Sequence, residues 1–114
     1  MNKVVWFPGD RYDDVKTGKI NKLFTTHDTC LPVQINDCIP CVFKDLKDNM
    51  LLEITDFGYK NFNALTENDA RDCGFNNVSE LKKELLEKYV TLDNYSRLYY
   101  YTFIVIGVSE KVGE

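Results

Sequence analysis

Leu98 to Val108, LYYYTFIVIGV, alternates aromatic and aliphatic side chains and is the strongest strand signal in the chain. Its length suits a strand that crosses a sheet and closes a small barrel. Shorter runs supply its partners. Lys3 to Phe7 (KVVWF) is β-branched and aromatic, Leu23 to His27 alternates weakly, and Ile39 to Phe43 and Met50 to Phe57 flank the turn residues of Lys44 to Asn49. The last two therefore pair as a hairpin. Pro40 lacks a donor N–H and belongs at an edge or a strand start.

Helical signals fall between these strands. Pro8-Gly9 breaks the first strand, and Asp10 is placed to cap a short helix over Arg11 to Thr17, with Asp13 three residues on. Tyr12 and Val15 face inward at i, i+3, and Gly18 ends the helix at C′. Asp13 and Asp14 read as first-turn acids favoured by the helix dipole. Thr66 with Asp69 forms a capping box, Ala70 packs inward and Gly74 closes the helix. Asn77 then caps the longest helix, whose apolar stripe is Leu81, Leu85 and Tyr89, widened by Leu86. Lys82, Lys83, Glu84, Glu87 and Lys88 read as its solvated face.

With 114 residues, the chain reads as one domain over 1–114, room for one core and too short for two. A net charge of −4 excludes a generally basic nucleic-acid coat and leaves room for a local cationic patch. Binding through such a patch is modest and salt-sensitive. Cys38-Ile-Pro-Cys41 is formally a CxxC, but no second pair completes a zinc ribbon. Positions three apart on a strand face opposite sides. The cysteines, Cys30 and Cys73 included, read as free thiols of a reducing compartment. No stretch approaches a membrane span, and the N-terminus lacks a signal-peptide core. These readings make the chain soluble and cytoplasmic, with no membrane partner, and nothing in it calls for a metal or cofactor.

No Ser-His-Asp spacing, HExxH, P-loop or GxGxxG occurs. The candidate site is assembled instead from the basic loop after Gly18, the Thr25-Thr26-His27-Asp28 strand and the LTENDARDC helix, Leu65 to Cys73. Lys19 and Lys22 follow the glycine stop, beside Thr25, Thr26 and the chain's one imidazole, His27. Two cations, two hydroxyls and an imidazole suit a phosphate or a polar base edge. Tyr12, Tyr99 and Tyr101 are candidates to stack a base.

The stretch from Lys16 to Phe43 resembles the opening half of an ASCH domain, a family of the PUA-like superfamily: a helix ending in Gly-basic, a Thr-rich strand, then the Asn36-Asp37 turn before Ile39 to Phe43. Leu65 to Phe75 (LTENDARDCGF) is similar to the family's "LTxxDAxxxGF" helix, and Glu80 to Tyr89 and the closing aromatic strand follow in order. The resemblance implies an α+β fold, a small mixed β-barrel of about five to six strands with two to three flanking helices. It also implies a cleft beside the Gly18-Lys19 loop that binds RNA or a modified nucleotide through Lys19, Lys22, Thr25, Thr26, His27 and Tyr12. One branch of the family removes the acetyl group of 4-acetylcytidine, with a Lys-x-x-Thr that Lys22 and Thr25 match, and an aspartate matched by Asp28. Here His27 stands where that branch has arginine, and Cys73 where it has glutamate, with Asp72 beside it. The catalytic set so implied is Lys22, Thr25 and Asp72. Other relatives are single-strand ribonucleases, for which Lys22, Thr25 and His27 are the corresponding groups. A non-catalytic protein-interaction module with a protein partner is the remaining alternative. Oligomeric state is not legible.

Overall fold

The computed structural model describes residues 4–26, 32–46 and 49–109. His27, Asp28 and Cys30 lie outside them. Five strands form one mixed sheet: β1 (Val5–Phe7), β2 (Lys22–Thr25), β3 (Cys38–Phe43), β4 (Asn49–Asn61) and β5 (Arg97–Ser109), in the order β1-β3-β4-β5-β2. Only the β1–β3 pair is parallel. The sheet curls into a half-barrel flanked by α1 (Tyr12–Lys16), α2 (Glu67–Asp72) and α3 (Val78–Lys88). This is the expected mixed barrel with flanking helices.

β5 is the crossing strand. It pairs with β4 from Arg97 to Ser109 and, on its other side, with all of β2. Register shifts between Leu51 and Leu52 and between Ile54 and Asp56 bend the long hairpin. β4 is far longer than Met50 to Phe57, so its outer half leaves the barrel as a ribbon. β3 and β4 form the expected hairpin. Pro40 sits inside β3, but β1 begins its pairing at Cys41. The missing N–H therefore falls where β3 has one neighbour.

One core fills the barrel, with Val15, Ile39, Cys41, Leu52, Ile54 and Phe103 among its buried members. A second lies under the helices, from Phe24, Ala70, Leu81, Leu85 and Leu98. Alternation decides which core a strand residue joins. Cys38 is exposed and Cys41 buried, on opposite faces of β3.

The caps follow the sequence with one exception. Thr66 and Asp69 form a reciprocal capping box, and Asn77 accepts the Glu80 N–H. Asp10 caps nothing. It lies inside a 3-10 turn, Gly9–Arg11, and α1 starts from Arg11 with no side-chain cap. Pro8-Gly9 thus begins the helical turn earlier than expected. Leu86 is 42% exposed, so the buried stripe of α3 stays narrow.

Gly18 and Gly74 both take positive φ, +84° and +90°. A Cβ on Gly18 meets nothing within 4 Å, whereas one on Gly74 would lie 2.6 Å from Ile20 Cγ1. Gly18→Ala is expected to cost about 1 kcal/mol, the left-handed penalty alone. Gly74→Ala adds overpacking against buried Ile20 and is expected to cost about 3 kcal/mol. Urea denaturation of both variants checks this; equal losses would show that Ile20 yields freely.

Candidate functional site

β2 is an edge strand of four residues, so its side chains divide between two faces. Lys22 and Phe24 turn toward the helices; Leu23 and Thr25 turn toward the barrel. The face toward the helices holds the strongest electrostatic cluster among the described residues. Asp69 and Asp72, at i, i+3 on α2, share a helix face. Lys22 Nζ donates to Asp69 Oδ1 at 2.8 Å and lies 3.8 Å from Asp72 Oδ2. Asp69 Oδ2 accepts from Lys60 Nζ at 2.7 Å and from the Thr66 N–H at 2.9 Å. The Lys22 ammonium also stands 5.0 Å from the Tyr100 ring and 5.7 Å from Phe24.

Asp69 is 3% exposed. Burial alone would raise its carboxyl, but hydrogen bonds from Lys22, Lys60 and the Thr66 N–H outweigh it and hold the group at about 2. Burial would lower Lys22; the hydrogen bond to Asp69 and the charges of Asp69 and Asp72 reverse that and raise it. Lys22 is therefore a fixed cation, not a proton acceptor. Burial pushes the Cys73 thiol up to about 12 despite the nearby Lys22 charge. It stays protonated and does not act as a nucleophile.

Thr25 faces the other way. It is buried, with Oγ1 3.4 Å from Tyr89 Oη. It lines a hollow of about 340 Å³ with Val5, Trp6, Leu23, Lys88, Tyr89 and Tyr101. Lys22 lines a neighbouring hollow of about 70 Å³ with Arg11, Cys73, Phe75 and Glu84. Trp6, Leu23 and Lys88 border both. The pair forms one groove along the open seam between β1 and β2, the two edges of the sheet. Of the two, the Thr25 side has the room of a small-molecule site, and the Lys22 side has room only for a few waters.

Lys22 and Thr25, expected to line one hollow, thus occupy adjoining ones on opposite faces of β2. Asp72 reaches Lys22 and not Thr25. Lys19 is exposed on the turn after Gly18, and Thr26 is half-buried beyond β2. Tyr12 joins the barrel core, its ring edge-on to Phe43 at 5.1 Å. The space beside Gly18 is a separate hollow of about 500 Å³ bounded by Lys16, Thr17, Asn21, Thr55 and Thr102. Trp6, Lys60, Lys88 and Tyr89 were not legible as site residues. The first had only a strand signal and Lys88 only that of a solvated helix face. The Asp69-x-x-Asp72 spacing was the one available sign of the ion cluster, and the capping role masked it. No group of three His, Cys, Asp or Glu that would hold a metal occurs among the described residues.

Comparison with solved structures places the architecture. An ASCH domain from Lactobacillus crispatus JV V101 superposes with a TM-score of 0.73 at 15% identity, over 90% of this chain and 79% of that one. The fold is that of the ASCH domains. The ASCH protein of Zymomonas mobilis matches at TM-score 0.67 and 11% identity, over 94% of this chain and 71% of that one. The protein EF3133 of Enterococcus faecalis V583 matches at TM-score 0.67 and 15% identity, over 100% and 86%. No family model and no curated protein matches the sequence. At these identities the likeness carries the fold and not its chemistry. No helix among the described residues is long and apolar enough to cross a membrane.

Asp69→Asn leaves Lys22 and Lys60 facing a neutral amide and is expected to destabilise the fold by about 3 kcal/mol at pH 7. Because the folded carboxyl is held low, its contribution is present above about pH 4 and is lost as pH falls toward about 2. Chemical denaturation at pH 5 and pH 2.5 should therefore show a larger acid loss in the unsubstituted protein than in Asp69→Asn. Parallel losses would place the acid-labile group elsewhere.

Proposed function

We propose that the chain binds RNA or a modified nucleotide in the seam between β1 and β2, with a base seated on the Thr25 side. The observation that carries this reading is the composition of that hollow. Trp6 is 65% exposed at its lip, Tyr89 and Tyr101 supply further rings, Thr25 a hydroxyl, and Lys88 a cation 5.4 Å from the Tyr89 ring. Rings with one hydroxyl and one ammonium match a nucleobase with its phosphate. The ASCH fold supports the same reading. Lys22 takes part indirectly: its charge is spent on Asp69, and it fixes the strand that carries Thr25.

Hydrolysis of 4-acetylcytidine is the rival use of the same seam. A threonine nucleophile needs a base within hydrogen-bond reach, and Asp72 lies on the other face of β2. Of the expected catalytic set, Asp72 is therefore not placed as that base.

Retention of a mixed RNA pool, followed against salt, tests the proposal. Retention should fall as salt rises, with Trp6→Ala weakening it by about tenfold and Lys88→Ala reducing the salt slope by about one. Retention unchanged in both variants would move the site out of the seam. Incubation with 4-acetylcytidine, read by mass spectrometry, should return it intact; acetate release lost in Thr25→Ala would replace binding by hydrolysis.

A further inference from the structure

Beyond the seam, the barrel's inner face continues outward along the β4–β5 ribbon and stays aromatic past the two buried clusters of the described residues. Cross-strand register places Thr25 opposite Tyr99, Tyr99 opposite Tyr59, and Tyr101 opposite Phe57. Opposed residues share a face, so these side chains and Arg97, two positions before Tyr99, form one surface. Tyr101 is buried in the core at its inner end, while Phe57 is 47% and Tyr59 60% exposed. The Tyr59 and Tyr99 rings lie 6.2 Å apart, and the Arg97 guanidinium sits 4.4 Å from the Tyr59 ring centre. In a chain with 18 acidic and 14 basic residues, none of the residues in this stretch of register is acidic. The charge on this face is a single arginine, because Lys60 turns to the opposite face and pairs with Asp69.

We infer that the Tyr59–Tyr99–Arg97 face of the ribbon is a second base-stacking subsite, which extends the seam to a short single strand of RNA. The inference rests on the seam reading, since Thr25 and Tyr101 belong to both surfaces. The exposed Tyr59 ring, with the half-buried Tyr99 ring beside it on the adjacent strand, accepts the faces of successive bases, and the guanidinium over Tyr59 bridges to the backbone phosphate. A duplex does not present its base faces to such a surface. A free nucleotide fills the seam alone. The ligand class is therefore a single strand of several nucleotides.

Two probes separate this subsite from the seam: cytidine monophosphate, which is short enough for the seam only, and fluorescein-labelled pentacytidylate, which spans both. Tyr59→Ala should weaken pentacytidylate by about tenfold and leave the monophosphate unchanged, and Tyr59→Phe should restore the loss. Arg97→Ala should weaken the pentamer and flatten its salt dependence. Trp6→Ala should weaken both probes. Equal pentamer affinity in Tyr59→Ala and the unsubstituted protein overturns the subsite while the seam survives. Failure of Trp6→Ala to affect either probe overturns the seam as well. If Tyr59→Ala instead converts a dimer to a monomer in sedimentation with no change in pentamer binding, the face joins two copies of the chain and the inference falls.

Discussion

One carboxylate, that of Asp69, ties together three elements of the fold, β2, β4 and α2. It accepts from Lys22 on β2, from Lys60 on β4 and from the N–H of Thr66 at the head of α2. β2 and β4 flank β5 on either side, so the clamp spans the crossing strand. A four-residue edge strand with one neighbour is weakly held by its ladder alone. Anchoring Lys22 fixes where β2 stands, and with it the width of the seam. The buried charges are tolerable because each has its partner, and hydrogen bonds and opposite charge outweigh burial at Asp69 and Lys22.

The overall architecture was legible because period-2 and period-3.6 patterns are local. Leu98 to Val108 announced the crossing strand, Thr66 with Asp69 and Asn77 with Glu80 announced two helix starts, and Gly18 and Gly74 announced two helix ends. Asp10 misled, because a cap preference is overridden when Pro8 begins a 3-10 turn before it. The end of β4 misled because a strand that leaves the barrel no longer needs an apolar alternation to mark it.

The site was legible in part. Alternation alone places Lys22 and Thr25 on opposite faces once β2 is known to be regular, and their shared hollow was a misreading of that spacing. Lys88 and Lys60 had no local signal. Each acquires its position from tertiary packing, Lys88 from where α3 meets the lip of the seam and Lys60 from the ribbon's reach to α2. Trp6 reads as an ordinary strand residue until β1 proves to be a sheet edge, where an outward ring has no neighbouring strand to cover it.

Burial decides what each lysine does. Lys22 and Lys88 carry the same charge, yet the Lys22 side chain is 13% exposed and held by Asp69, while Lys88 is exposed beside Tyr89. An ammonium already donating to a buried carboxylate loses that bond on turning to a phosphate, and leaves the carboxylate unsatisfied in exchange. A surface ammonium gives up only water and counterions. In an acidic chain, then, the cations able to meet a polyanion are those the fold leaves outside its own ion pairs. Lys88 at the seam and Arg97 on the ribbon each stand over a ring, 5.4 Å from Tyr89 and 4.4 Å from Tyr59, and on the proposed reading that placement matters more than the count of basic residues.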